Sequence, residues 1–155
     1  MITLEPVGII YNSRKEISDD YWGNIISEIE LSDEFSEEAL DGIEEFSHAE
    51  IIFYFNKVQK ENIKSGSHHP RNNANWPKTG IFAQRGKNRP NTLGLTIAKI
   101  ISRKGKSLFV KELDAIDGTP VLDIKPLIKE FLPDEKIVQP LWATELMRNY
   151  WKVKN

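Results

Sequence analysis

Arg85, Lys87 and Arg89 alternate in the stretch Gln84-Arg-Gly-Lys-Asn-Arg-Pro-Asn91. In an extended chain the three side chains project from one face. Guanidinium forks suit phosphates and carboxylates, so this spacing points to an anionic ligand. The stretch ends the densest polar segment of the chain, His68 to Asn91, which also carries Arg71 and Lys78. Trp76 and Phe82 in that segment offer aromatic faces on which a nucleic-acid base can stack. The same arginines and asparagines can also tie down a long loop through its own carbonyls.

A second constellation is Glu112-Leu-Asp114-Ala-Ile-Asp117-Gly-Thr-Pro-Val-Leu-Asp123-Ile-Lys-Pro126. A carboxylate here can accept a hydrogen bond from a ribose hydroxyl or an ammonium group. Asp before Gly-Thr-Pro is equally ordinary turn chemistry. Asp114 and Asp117 are the carboxylates that can take a proton from a reacting group, and neither is singled out as a catalytic base. The three histidines, His48, His68 and His69, lack metal-ligand spacing, and there is no cysteine, so no metal is expected. A nucleophile elbow, a Walker loop and a Gly-x-Gly-x-x-Gly motif are all missing.

The frame for these residues reads as a run of short strands. Leu4 to Tyr11, Ile25 to Leu31, Gly80 to Gln84 and Val121 to Lys125 are apolar segments bounded by turn signals. Ala49 to Phe55 is β-branched and aromatic, apolar on both faces over five residues, as expected of a buried strand. Leu93 to Ser102 and Ser107 to Leu113 form a hairpin turning at Arg103-Lys104-Gly105-Lys106. Ser36 to Asp41 is a helical turn stopped by Gly42, and Val58 to Thr79 is a long polar loop of the kind that is usually functional. Trp142, Leu146, Met147, Tyr150 and Trp151 fall at helical spacing, predicting a final amphipathic helix that packs on the barrel or on a second subunit. Such a pattern belongs to an antiparallel sandwich or barrel.

Charge is segregated along the chain. Between Asn62 and Lys111 there are eleven Lys and Arg and no acid, whereas residues 1–61 hold fifteen acids against four bases. In a chain whose net charge is only −2, such segregation points to an anionic partner. The 155 residues fit one domain with a core that needs no staples. The longest apolar run, Ile51 to Phe55, is too short to cross a bilayer, and the N-terminus lacks a signal-peptide pattern. A cytoplasmic protein without membrane contact is expected.

Three blocks stand in an order and spacing that resembles the TsaA-like (TrmO) family. They are Leu40-Asp-Gly-Ile-Glu-Glu-Phe-Ser-His48, Gly80-Ile-Phe-Ala-Gln-Arg-Gly-Lys-Asn-Arg-Pro-Asn-Thr-Leu-Gly-Leu95 and Leu113-Asp-Ala-Ile-Asp-Gly-Thr-Pro-Val-Leu-Asp-Ile-Lys-Pro126. The likeness covers about residues 4–126, and the Arg89-Pro-Asn91 and Asp117–Pro126 blocks together are specific. The resemblance implies a mainly β fold, a small antiparallel β-barrel with short helices and a C-terminal helix. It implies S-adenosylmethionine held near a homodimer interface, and N6-methylation of threonylcarbamoyl-adenosine beside the tRNA anticodon. The cofactor contacts it implies are Asn56, Lys57, Arg85 and Leu95, with a further run at Glu112, Leu113, Asp114 and Ala115. Contacts to a tRNA substrate are then expected from Arg71, Lys78, Lys87, Arg89 and Asn91, whose segment supplies phosphate neutralisation.

The chain is read as a single TsaA-like domain over 1–155, with the barrel at about 1–126 and a tail and helix at about 127–155. The C-terminal domain of longer members is not expected. Where family members often carry Pro-Arg-Gln after the first strand, this chain has Asn12-Ser-Arg-Lys. The family's Arg-Pro-Asn-Pro-Ile-Gly appears as Arg89-Pro-Asn-Thr-Leu-Gly94, and Ala-Thr-Arg-Ser as Ala83-Gln-Arg-Gly86. Two further functions fit the same residues: an S-adenosylmethionine-dependent methyltransferase acting on a small molecule, and a non-catalytic barrel that binds S-adenosylmethionine or RNA.

Overall fold

The structure, a computed structural model, describes residues 1–155. Its eight strands are β1 (Gly8–Tyr11), β2 (Ile26–Leu31), β3 (His48–Tyr54), β4 (Ser67–His68), β5 (Thr79–Gly80), β6 (Leu93–Lys104), β7 (Ser107–Lys111) and β8 (Pro120–Pro126). Six close into a barrel in the order β1-β2-β7-β6-β3-β8, every pair antiparallel, with β8 returning to β1. Closure leaves the barrel no free edge. β4 and β5 pair only with each other.

The interior is built by complementary sizes on neighbouring strands. β3 buries Ala49, Ile51 and Phe53 and turns His48, Glu50, Ile52 and Tyr54 outward. The apolar run read as buried on both faces is therefore buried on one, because a barrel has a single interior. β6 answers with small inward residues, Gly94, Thr96 and Ala98. Phe53 stands opposite Gly94, where a Cβ would lie 2.4 Å from the Phe53 ring. The large residues of β6 point outward instead: Leu93, Leu95 and Ile97 are 38%, 44% and 41% exposed. Ile10, Ile29, Leu31, Leu108, Val110 and Val121 complete the barrel core, and Leu40 and Ile43 extend it from the two 3-10 turns Glu37–Leu40 and Ile43–Glu45.

Several boundaries differ from the sequence reading. β1 starts at Gly8 and not at Leu4, since Pro6 has no N–H for a ladder and residues 1–6 are exposed. β7 stops at Lys111, short of Leu113, because Glu112 takes a left-handed φ of 62° and turns the chain. The expected strand from Gly80 to Gln84 ends at Gly80 and winds into a 3-10 turn over Ile81–Ala83. Gln84 explains this: its side-chain amide donates to the carbonyls of His68 (2.9 Å) and Thr79 (3.0 Å), folding the chain back on β4 and β5. The long 58–79 loop is likewise structured, with 3-10 turns at Lys60–Asn62 and Pro70–Asn72.

The C-terminal helix α1 covers only Leu141–Leu146, shorter than the aromatic stripe predicts. Beyond it the chain runs back against the barrel, where the N–H groups of Tyr21, Trp22 and Gly23 donate to the carbonyls of Asn149, Tyr150 and Lys152. No helix is long and apolar enough to cross a membrane.

Candidate functional site

β6, the chain from 55 to 91, the turn from 112 to 116 and the C-terminal segment line one cavity of about 1550 Å³. Small-molecule sites are commonly about 300–1,000 Å³, so this open cleft is larger than a single small ligand needs. Phe55, Leu95, Ile97, Trp142 and Leu146 give it apolar walls. Six bases, Lys57, Lys64, Arg71, Arg85, Lys87 and Arg89, face four acids, Asp19, Glu50, Glu112 and Asp114. The surplus of cations favours an anionic ligand.

The bases reach the cavity by a wrapped loop and not by the extended strand inferred from their alternation. Arg89 Nη1 donates to the Gln84 carbonyl at 2.6 Å, and Arg85 Nη2 donates to the Leu95 carbonyl. Arg71 has a left-handed φ of 52° and pairs with Asp20 at 3.1 Å and Asp19 at 3.9 Å. Trp76 is anchored through its ring edge, where Nε1 donates to Glu145 Oε2 at 2.8 Å. Phe82 stays 80% exposed beside the cavity-lining Ala83 and Arg85. The histidines are separately engaged. His69 Nδ1 lies 2.6 Å from the Trp76 carbonyl and His48 Nδ1 2.7 Å from Ser47 Oγ, while His68 Nδ1 is buried without a partner.

Asp114 is the carboxylate most firmly built into the cavity wall. Its Oδ1 accepts from the Thr96 hydroxyl on β6 and its Oδ2 from the Tyr150 hydroxyl of the C-terminal segment. Burial, reinforced by the Asp114 charge and hydrogen bond, holds the Tyr150 hydroxyl protonated far above the ordinary tyrosine range. Tyr150 is therefore a donor here and not a base. Asp117 sits outside the lining. It accepts from Lys15 Nζ at 2.7 Å and from the Asn12 N–H at 2.9 Å, which together hold its carboxyl below the usual carboxylate range. These bonds and Gly118 beside it, with a φ of 84°, are those of a tight turn.

Of the residues expected to contact a cofactor, Asn56, Lys57, Arg85, Leu95, Glu112, Asp114 and Ala115 line the cavity. Leu113 does not; it is fully buried in the barrel core. Of those expected to contact a substrate, Arg71, Lys87, Arg89 and Asn91 line the cavity, whereas Lys78 lies outside it. The aromatic stripe read as packing also lines it, through Trp142, Leu146, Met147, Tyr150 and Trp151.

Asn12 is the positioning residue that composition alone does not flag. Its Nδ2 donates to Ser27 Oγ (2.9 Å) and the Ala115 carbonyl (2.8 Å), and its Oδ1 accepts from the Arg14 N–H (3.0 Å). It thus ties the end of β1 to β2 and to the turn that carries Asp114. Arg14, two residues on, lies 4.1 Å above the Trp22 ring, a cation–π pair.

Comparison with known proteins agrees with this architecture. The human tRNA (adenine(37)-N6)-methyltransferase is 41% identical over 113 residues, covering 73% of this chain and 25% of that one. The mouse protein of the same name is 46% identical over 95 residues, 61% of this chain and 22% of that one. This chain therefore spans about a quarter of those relatives. A "Probable S-adenosyl-L-methionine-binding protein" of Pyrococcus abyssi is 36% identical over 136 residues, covering 84% of this chain and 71% of the relative. Among solved structures, TrmO from Pseudomonas aeruginosa superposes with a TM-score of 0.69 at 26% identity, over 88% of this chain and 61% of that one. The family model for the tRNA-methyltransferase O N-terminal domain matches residues 14–132. The chain belongs to that family.

Proposed function

We propose that this chain binds S-adenosylmethionine in the cavity and transfers its methyl group to N6 of threonylcarbamoyl-adenosine beside the anticodon of tRNA. The observation that carries this reading is convergence. Asn56, Lys57, Arg85, Leu95, Glu112, Asp114 and Ala115 come together with Arg71, Lys87, Arg89 and Asn91 around one cleft larger than a single small ligand needs. The human relative, a tRNA (adenine(37)-N6)-methyltransferase, and the Pyrococcus relative, a probable S-adenosyl-L-methionine-binding protein, support it.

The donor set fits the group. A nucleoside with an amino-acid chain needs apolar surface, carboxylate acceptors and a cation, and the cavity offers Leu95 and Phe55, Asp114 and Glu112, and Arg85. When bound, the cofactor supplies an electrophilic methyl on a sulfonium, so the hard chemistry is its own. The protein's part is to align methyl and nitrogen and to keep water out. We assign no side chain as base: Asp117 is outside the cavity, Asp114 is committed to the Thr96 and Tyr150 hydroxyls and to ligand binding, and the N6 proton leaves to solvent once the methyl is on nitrogen. We assign Lys87 and Arg89 to the tRNA backbone, and in this reading the protein works in the cytoplasm.

We assign the outward face of β6 to a second copy of the chain, in a homodimer. Leu93, Leu95 and Ile97 alternate as exposed apolar residues there, and all three also line the cavity. In this reading the whole chain is one unit, barrel and tail together.

The test is transfer of label from S-adenosylmethionine, tritiated at the methyl, to unmodified and threonylcarbamoyl-modified tRNA. Label confined to the modified tRNA and lost with Arg85→Ala is the expected result. Transfer to a small molecule with no salt dependence, or tight cofactor binding without transfer to any acceptor, overturns the tRNA assignment.

A further inference from the structure

The C-terminal segment lies beyond residues 14–132 that the family model matches, yet it is fastened to the cavity by several independent ties. Tyr21, Trp22 and Gly23 donate through their backbone N–H groups to Asn149, Tyr150 and Lys152 at 3.1, 2.8 and 3.3 Å. The approach is so close that a Cβ on Gly23 would stand 2.0 Å from the Trp151 carbonyl oxygen. Trp76 holds Glu145 from the opposite side at 2.8 Å, and Tyr150 reaches Asp114. With all of this in place the cavity still measures about 1550 Å³. The segment is therefore a wall of the cavity and not a plug in it.

The Asp114–Tyr150 pair has acceptor capacity to spare. A carboxylate offers about four lone-pair sites, and Thr96 and Tyr150 occupy two. The Tyr150 oxygen can accept while its proton is donated to Asp114. Both side chains line the cavity, and so does Arg85, whose guanidinium is committed to a single carbonyl and keeps most of its donors free. Arg85 and Arg71 both stand near enough to act electrostatically on the Tyr150 hydroxyl. Arg71 is already paired with Asp19 and Asp20, which leaves Arg85 as the available cation. A carboxylate–phenol acceptor pair and a largely free guanidinium lining the same cavity fit the two charged ends of an α-amino acid.

We propose that the Pro140–Lys152 segment is part of the binding site, and that Tyr150 and Asp114 take the ammonium of the cofactor's amino-acid end while Arg85 takes its carboxylate. This rests on the S-adenosylmethionine reading above. The segment thus supplies a subsite that the barrel alone lacks.

The experiment is isothermal calorimetry on the full chain with S-adenosylhomocysteine and 5′-methylthioadenosine, two thioether nucleosides that differ in the amino-acid end. Tyr150→Phe removes one oxygen and keeps the ring. S-adenosylhomocysteine binding is expected to weaken on the order of tenfold, the loss of one hydrogen bond to a charged group. Methylthioadenosine binding is expected to stay within about twofold, which also reports that the cavity remains folded. Equal loss for both ligands, or loss for neither, overturns the subsite. If the wild-type chain binds neither nucleoside and no S-adenosylmethionine, the cofactor reading itself fails, a result distinct from either of those.

Discussion

Asn12→Ala tests whether a single amide positions the ligand-facing turn. The side chain makes three hydrogen bonds, to Ser27 Oγ, to the Ala115 carbonyl and from the Arg14 N–H. Each such bond contributes about 0.5–1.5 kcal/mol net. Ser27 is fully buried, so its oxygen loses a donor that water does not replace. The sum is about 2–4 kcal/mol of unfolding free energy, which for a chain of this size lowers the melting midpoint by roughly 5–12 °C. Urea denaturation is the assay, with the midpoint expected to fall at unchanged slope. Because Asn12 and Ser27 share a bond, the double variant with Ser27→Ala should cost about 1 kcal/mol less than the two single losses added. Calorimetry should also show weaker S-adenosylmethionine binding, since the turn bearing Asp114 is no longer held. A stability loss under about 0.5 kcal/mol, or strict additivity with Ser27→Ala, would refute the assignment of Asn12 as the pin.

Three further outcomes follow from the geometry. Gly94→Ala should destabilise the barrel by about 1–3 kcal/mol through overpacking against the Phe53 ring, and Phe53→Leu in the same chain should recover part of that loss in urea melts. The pairing with Lys15 depresses the folded-state pKa of Asp117, so its stabilisation is present above the unfolded value of about 3.9 and is lost as pH falls through the folded value. Lys15→Met should accordingly lower stability at pH 6 and make no difference near pH 2. Lys87→Ala with Arg89→Ala should reduce the slope of log affinity for tRNA against log salt by roughly 1–2, while leaving S-adenosylmethionine affinity within about twofold.

What the sequence made visible depended on where the deciding force is local. β2, β8 and the β6–β7 hairpin were legible because alternation and a glycine turn carry them, and Asp117-Gly118 was legible as a turn for the same reason. Gly80 to Gln84 was read as a strand because its apolar pattern is that of one. The Gln84 amide bonds to His68 and Thr79, and no pattern of neighbouring residues encodes those. Phe53 and Gly94 show the same limit: the inward face of β3 can be large only because β6 is small, a relation between strands far apart in sequence. At the site, the family likeness brought Arg85 and Asp114 to one cavity but carried Leu113 along with them. Leu113 sits between lining residues but turns into the core, just after the left-handed Glu112 redirects the chain. Lys78 shares the charge of its segment yet lies outside the cavity, and Tyr150 has the helical spacing of packing residues although it lines the cavity.

Six non-glycine residues have a left-handed backbone, and four of them, Arg71, Asn72, Asn91 and Glu112, line the cavity. Such conformations cost about 1–3 kcal/mol each where nothing local favours them, and they persist only while the surrounding structure enforces them. The lining of the cavity thus concentrates the left-handed residues, with Arg71 and Glu112 the costlier two, and the closed barrel is what restrains them. Damage to that restraint anywhere in the core should blunt ligand discrimination before it unravels the chain. Variants of modest instability would then keep their circular-dichroism spectrum while losing selectivity.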